Sequence, residues 1–246
     1  MYSFTKIFAM QKSKKVINTV LFALLTFALS AQTSIGIRGG LNFANVPAPS
    51  GISNLLPIFK PAKGASVALV TEMGIGKNFA IQPELAYHQK GFALKAGLDF
   101  LLFNVDVPLG IKAVTKVNYL EAPILGKYKF GSGKVGGYVV AGPTIGYALN
   151  GRFTTKAQVL IDIKITDEKL DLANLGYNRF ELGGILGAGV NFKTGNSNLF
   201  IDARYARGFT NVYDVPFVDL KLKNKGVSIN VGMMIPLTSG SKIPRA

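Results

Sequence analysis

Residues 179–193 read RFELGGILGAGVNFK and alternate in character with a period of two residues. One parity is apolar apart from a single glycine: Phe180, Leu182, Gly184, Leu186, Ala188, Val190 and Phe192. The other parity consists mostly of charged, polar or very small residues, among them Arg179, Glu181 and Lys193. Because successive side chains of a β-strand point to opposite faces, the stretch predicts a strand with one apolar face and one polar, small-residue face.

The same alternation recurs in seven further stretches of the chain. Large aliphatic and aromatic residues hold one parity in each of them, and charged residues, amides, hydroxyls and glycines hold the other. The stretches are 35–43, 66–75, 79–90, 120–130, 139–150, 199–210 and 227–235. The pattern therefore predicts an all-β fold of eight strands.

The predicted connections between these strands alternate in length. Three are short and rich in Gly and Asn, at 76–78, 131–134 and 194–197, as in tight antiparallel hairpins. The other four are long: 47–63, 92–114, 151–177 and 213–225. Short turns at one end and long loops at the other are typical of outer-membrane barrels, in which the short turns face the periplasm.

A soluble barrel of the same strand number is the alternative, and it would turn its apolar face inward. The charged parity here also carries most of the glycines, and a narrow interior requires small side chains. We therefore expect an eight-stranded antiparallel up-and-down transmembrane β-barrel with its apolar face outward. In the third long connection, continued alternation predicts strands that extend beyond the bilayer, followed by a short helical turn over 167–175.

Composition excludes several classes of protein. The 246 residues include no Cys and one His, 48% are hydrophobic, and the formal net charge is +15. The chain is therefore neither disordered, nor a disulfide scaffold, nor a protein with a Cys-ligated metal, and we expect no metal or other cofactor. Residues 1–31 have a basic segment, a short apolar run and a small-residue exit, which predict a secretory signal peptide. The barrel is then expected over 32–237, with a short periplasmic tail at 238–246.

Three stretches carry a resemblance to a known family. They are 35–43 (IGIRGGLNF), 119–123 (YLEAP) and 203–211 (ARYARGFTN). Through them the chain resembles the PorT-type outer-membrane β-barrel family, a porin family of small eight-stranded barrels from gram-negative bacteria, over residues 34–237. The even number of strands and their short turns already predict an outer-membrane location with both termini periplasmic. The resemblance implies a role as an accessory subunit of an envelope or secretion complex.

The predicted interior holds nearly balanced charges on the polar parity. The inward residues are Arg38, Glu72, Glu84, Lys90, Glu121, Lys127, Lys129, Arg179, Glu181, Asp202 and Arg204. A buried carboxylate needs a nearby cation to remain ionised, and an eight-stranded barrel is filled by its own side chains. The balance favours a paired lumen charge network, and hence a structural or interaction component, over a narrow porin for small solutes.

A lipid-acting enzyme is the third hypothesis. It rests on His88, the one histidine, which the parity directs inward near the long-loop end of its strand. No residue at a diagnostic spacing marks a nucleophile or a metal site beside it. We therefore expect no enzymatic activity and no catalytic residue.

Partners are predicted from the long connections. Exposed apolar segments often mark contact sites, and two occur here: Leu55, Leu56, Ile58 and Phe59 in the first, and Phe100, Leu101, Leu102 and Phe103 in the second. They predict contact with protein partners in an envelope assembly, or a lid over the barrel mouth. The surplus of Lys and Arg points to outer-membrane lipids and lipopolysaccharide, because a barrel in that membrane meets lipid phosphates and no nucleic acid.

Overall fold

A computed structural model describes residues 33–45, 58–102, 105–131, 133–159, 162–212 and 223–237. The predicted signal peptide and the predicted periplasmic tail lie outside these residues. The described residues contain no helix that could cross a membrane. They form nine strands: β1 Thr33–Asn45, β2 Ile58–Gly74, β3 Phe79–Leu102, β4 Val105–Phe130, β5 Val135–Val159, β6 Asp162–Leu170, β7 Phe180–Thr194, β8 Ser197–Gly208 and β9 Lys225–Pro236.

Eight of the nine strands close into a barrel. Every neighbouring pair is antiparallel, and the order β4-β3-β2-β1-β9-β8-β7-β5 is closed by pairing between β4 and β5. The remaining strand, β6, pairs with β5 alone among the described strands and lies outside the barrel. The prediction of a closed eight-stranded antiparallel barrel is confirmed.

The apolar parity faces outward. Ile37 is 58% exposed and Val231 is 59% exposed, whereas the neighbouring Arg38 is 2% exposed. Large aliphatic and aromatic side chains cover the outer surface of all eight barrel strands in the same way. An apolar exterior around a polar lumen is the arrangement of a barrel that sits in lipid, and it rejects the soluble barrel with an apolar interior.

The three predicted short turns are present. They join β2 to β3, β4 to β5 and β7 to β8, and all lie at one end of the barrel, hereafter the short-turn end. Gly76 and Gly195 occupy these turns with φ values of 100° and 58°. A side chain with a Cβ atom adopts such angles only at a cost, so glycine is what lets the chain reverse in so few residues.

The opposite, long-loop end differs from the prediction. The stretch 92–114, expected to be a loop, is mostly strand, because the β3–β4 ladder keeps one register from Phe79↔Tyr128 to Leu102↔Val105. β3 has 24 residues and is about 80 Å long, whereas a strand of roughly 10 residues is enough to cross a membrane. Likewise, β2 already begins at Ile58, inside the expected loop 47–63.

The third long connection forms a hairpin, as predicted from its alternation. β5 continues to Val159, and β6 returns along it with Gly151 opposite Leu170. One helical turn follows, in which the Leu175 amide donates to the carbonyl of Asp171. The predicted turn over 167–175 therefore begins later than expected, because Asp167 still belongs to β6. Strands β3 to β6 together raise a four-stranded sheet beyond the barrel wall, hereafter the raised sheet.

The two larger apolar clusters of the described residues pack inside the barrel. One lies in the lumen and includes Leu125, Tyr138, Phe200 and Met234. The other lies at the long-loop end, where Leu172, Tyr177 and Val212 pack against Val117, Tyr119 and Ala148 of β4 and β5. Segments that follow β6 and β8 therefore cover part of the mouth.

Candidate functional site: a layered polar lumen

A closed cycle of five polar side chains crosses the middle of the lumen and is called here the central cluster. Arg38 donates from Nη2 to Glu84 Oε2 over 2.9 Å, and Arg204 donates from Nη1 to Glu84 Oε1 over 2.8 Å. Arg204 also donates from Nη2 to Asp202 Oδ2 over 2.8 Å. Asn230 completes the cycle, because it accepts from Arg38 over 2.6 Å and donates to Asp202 Oδ1 over 2.7 Å.

The central cluster is buried and charge-balanced. The Arg38 and Arg204 side chains are 2% and 3% exposed, and those of Glu84 and Asp202 are fully buried. Two guanidinium groups therefore face two carboxylates, each held by at least two charge-assisted hydrogen bonds. Its members come from β1, β3, β8 and β9, so the cluster spans the interior from one wall to the other.

A second group, the long-loop cluster, lies towards the long-loop end. Lys90 Nζ contacts Glu121 Oε1 at 2.5 Å and Glu181 Oε1 at 2.6 Å. The amide of Asn224 donates to Glu181 Oε2 over 2.5 Å. Above it the hydroxyls of Tyr119 and Tyr177 are hydrogen-bonded at 2.5 Å. Two carboxylates share one lysine here, so the group carries one negative charge in excess.

A third group, the short-turn cluster, has the opposite sign. Lys127 Nζ lies 2.8 Å from Glu72 Oε2, and Lys129 Nζ lies 2.9 Å from Glu72 Oε1. Lys127 also sits over the ring of Tyr138, with its Nζ atom 4.0 Å from the centroid. One carboxylate serves two lysines, so one positive charge is in excess. Along the barrel axis, charge thus changes from negative at the long-loop end, through neutral, to positive at the short-turn end.

The structure brings together ten of the eleven predicted lumen residues in these three clusters. Arg179 is the exception. It lies half-buried just before β7 and forms no ion pair with the described residues. Parity alone could not show that Arg179 differs from the other ten residues. It continues the polar parity of β7, but it lies one residue before the strand begins.

The predicted contact segments are placed only in part. Leu55, Leu56 and Phe103 lie outside the described residues. Ile58 and Phe59 belong to β2, and 100–102 belongs to β3, so their backbone is ladder and not loop.

His88 is buried in the lumen, and its Nδ1 atom has no hydrogen-bond partner among the described residues. Ser66 stands directly opposite on β2, yet its Oγ atom is likewise without a partner, so no hydrogen bond joins the two side chains. A nucleophile and its base need that bond. Within the described part of the chain, no group of three or more potential ligands could hold a metal ion.

Neutral polar groups complete the clusters, and the sequence prediction did not single them out. Gln82 donates to Glu84 over 2.7 Å and the Tyr138 hydroxyl donates to Asp202 over 3.0 Å. Asn230 is the link that closes the central cycle. Its parity was a usable signal, because an amide on the inward face of a strand must find a hydrogen-bond partner.

A further ion-pair group lies on the raised sheet. Asp167 accepts hydrogen bonds from Lys164, from Arg152 over 2.7 Å and from Thr154 over 3.2 Å. The hydrogen bond from Lys164 is the main cause that lowers the pKa of the Asp167 carboxyl below its ordinary value, and Arg152 acts in the same direction. The contacts of Asp167 with Arg152 and Thr154 join β6 to β5, whereas Lys164 lies on β6 itself.

An eight-stranded antiparallel barrel with an apolar exterior and an ion-paired lumen defines a class, the small outer-membrane barrel proteins. The chain belongs to the family described as the outer membrane protein beta-barrel domain, whose model matches residues 28–214. A comparison with curated protein sequences gives no match.

Solved structures of similar proteins include several small barrels of outer membranes. Neisserial surface protein A (NspA) has 13% identity and a TM-score of 0.37, covering 82% of this chain and 96% of its own. Ail, the attachment invasion locus protein of Yersinia pestis, has 12% identity and a TM-score of 0.40, covering 83% and 99%. OprG of Pseudomonas aeruginosa has 12% identity and a TM-score of 0.40, covering 85% and 98%. At these values the likenesses say nothing about function.

Proposed function

We propose that the protein is a non-conducting, non-enzymatic outer-membrane barrel that serves as a structural or docking component of the cell envelope. The observation that carries this proposal is the central cluster, whose five side chains link opposite walls of the lumen. Among the described residues, a cavity of about 30 Å³ lies between it and the long-loop cluster, with room for about two water molecules. Such a lumen supports a plug and not a solute path.

Conductance in planar bilayers tests the plug. We expect the wild-type barrel to give no stable current steps at moderate voltage. The double variant Glu84→Ala, Arg204→Ala removes one carboxylate and one guanidinium group together and therefore keeps the net charge. Its lumen should admit ions. Lys134→Ala, an exposed change in a short turn, is the control. Stable steps from the wild type would refute the plug and establish the narrow porin.

The docking role rests on the raised sheet, which extends far beyond what a membrane anchor needs. The PorT-type resemblance supports a secretion or envelope complex as the assembly. Export by cleavage after residue 31 would leave both termini and the short turns in the periplasm, and the raised sheet outside the cell. There the basic residues of the sheet would meet lipopolysaccharide phosphates.

A pull-down of a tagged copy in mild detergent tests docking. A variant with Ser at Leu55, Leu56, Phe100 and Leu101 should lose a stoichiometric partner. The matched control places Ser at Ile165 and Leu175, which are exposed apolar residues of the third connection. Equal recovery of the partner by both variants, or a lone monomer from the wild type, would refute docking through these segments.

The enzyme hypothesis has no geometric support at His88, since the side chain is buried in the lumen and away from lipid. Lipid extracted from cells that carry His88→Ala should match lipid from wild-type cells. A lipid species that depends on His88 would reverse that conclusion.

A further inference from the structure

The short-turn end of the barrel opens into a cavity of about 280 Å³. Its floor is formed by the short-turn cluster together with Phe200 and Met234. Lys77 and Lys193, both exposed and both at or beside short turns, flank its mouth. The cavity is called here the vestibule, and it is separate from the small cavity beside the long-loop cluster.

The charge of the vestibule is unbalanced. Four lysines line it, against Glu72 as the one acidic lining residue of the described chain. Both oxygens of Glu72 are already engaged, one by Lys127 and the other by Lys129. Nothing within the lining offsets the remaining positive charge.

The depth of Lys127 makes that imbalance costly. Its side chain is 7% exposed, and its ammonium group rests on the face of Tyr138. The next layer of charge, the central cluster, is neutral in itself and supplies no spare carboxylate. Water alone screens such a site less well than it screens an exposed lysine, so an anion in the vestibule would be stabilised.

Neutral donors complete the lining. Asn191 and Asn198 present amides, and Ser34 presents a hydroxyl. Gly131 and Gly133 border the mouth in left-handed conformations, with φ values of 88° and 127°, and neither carries a side chain that could cover its own backbone. The lining thus offers ammonium groups, amide and hydroxyl donors, and exposed backbone to a single ligand.

We propose that the vestibule binds a phosphate-bearing small molecule or headgroup that enters from the short-turn end. A phosphate ester carries up to two negative charges, which suits a lining with three positive charges in excess. Lysine ammonium groups act as mobile point charges for phosphate, without the fixed geometry of an arginine fork. The volume is large enough for a phosphate together with a small organic group such as glycerol. The binding goes beyond the proposed structural role and does not depend on it.

Two sources of this chemistry are separable by experiment. The full-length barrel is purified in a non-ionic, phosphate-free detergent and titrated by calorimetry with glycerol 3-phosphate, against sodium chloride at equal ionic strength. In parallel, lysine acetylation is mapped by mass spectrometry in nanodiscs of phosphatidylglycerol and in discs of a phosphate-free galactolipid. Binding in the titration identifies a soluble phosphate ester. Protection of Lys77 and Lys193 in phosphatidylglycerol discs alone identifies a lipid headgroup.

The variants test the site itself. Lys77→Gln combined with Lys193→Gln should weaken glycerol 3-phosphate binding about tenfold, because two charged donors are lost. Lys134→Gln removes an exposed lysine at the same end that does not line the vestibule, and it should leave the affinity unchanged. Glu72→Gln should strengthen binding, since it removes the competing carboxylate.

Some results would overturn the proposal. One is the absence of saturable glycerol 3-phosphate binding together with equal acetylation of Lys77 and Lys193 in both kinds of disc. The others are a loss of affinity in Lys134→Gln equal to that in the double variant, and binding of chloride equal to that of glycerol 3-phosphate. Both mouth lysines are exposed, so their double variant should still fold. Heat-modified mobility on gels confirms that the barrel is intact before binding is compared.

Discussion

Glu84 joins the two arginines of the central cluster, and its carboxylate accepts hydrogen bonds from three residues. They are Arg38 over 2.9 Å, Arg204 over 2.8 Å and Gln82 over 2.7 Å. Glu84→Gln keeps the shape but removes the charge, and its new amide group would face a guanidinium donor. Two charge-assisted hydrogen bonds contribute about 1.5–3 kcal/mol each, and breaking a buried ion pair costs about 3–5 kcal/mol. We expect the free energy of unfolding to fall by about 3–5 kcal/mol.

Urea-induced unfolding in lipid vesicles, followed by tyrosine fluorescence and circular dichroism, measures this loss. Glu168→Gln makes the same chemical change on the exposed face of β6 and should alter the free energy of unfolding by less than about 0.5 kcal/mol. In a double-mutant cycle, Arg38→Met should cost less in the Glu84→Gln background than in the wild type. A loss below about 1 kcal/mol for Glu84→Gln, with strictly additive effects in the cycle, would refute the idea that the cluster acts as one unit.

Three further predictions follow from other parts of the barrel. Gly36→Ala would place a Cβ atom against the backbone of β9 and should impair folding. Gly39→Ala is the control, because a Cβ atom there meets nothing within 4 Å. Heat-modified mobility on gels compares the folding of the two variants. Val231→Lys puts a charge on the middle of the lipid face and should lower the free energy of unfolding by about 2–4 kcal/mol. Val135→Lys, at the short-turn end, should lower it by about 0–1 kcal/mol. Similar losses for the two variants in urea unfolding would disprove the assigned membrane depth. The ion pairs of Asp167 lower the pKa of its carboxyl. They therefore stabilise the β5–β6 hairpin at pH values above the ordinary aspartate pKa, and this stabilisation is lost as the pH falls through the lowered pKa. Hydrogen exchange of this hairpin, corrected for intrinsic rates, should therefore rise in acid for the wild type, and an equal rise in Asp167→Asn would count against it.

The barrel was predictable from sequence because a two-residue period fixes which face each side chain takes. Residues 179–193 show this directly, since every large residue of their apolar parity proves to be on the outer surface. The short turns were equally predictable, because Gly76 and Gly195 supply conformations that few other residues adopt. The end of the membrane-spanning part was not. Beyond Lys90 the ladder of β3 continues while the clean alternation fades, so the pattern predicted a loop where hydrogen-bonded strand persists.

The partners across the lumen were also beyond the sequence. Parity places Arg38 and Asn230 on the inner face, but the side chain that each one meets depends on the tilt and stagger of the strands around the cylinder. The layering of charge has the same origin. Glu72 lies at the height of Lys127 and Lys129 only because β2 and β4 stand at that stagger on either side of β3.

The central cluster also bears on the order of assembly. Arg38 and Asn230 are 192 residues apart, and they meet only when the first and last strands of the barrel pair. The complete cycle therefore cannot exist in a partly inserted sheet, and the hydrogen bond from Arg38 to Asn230 is absent from any transition state that precedes closure of that seam. Interactions of this kind slow unfolding and leave the rate of folding almost unchanged. The contact across this seam therefore acts as a latch: it cannot assist the steps before closure, and it resists the opening of a barrel that has already closed.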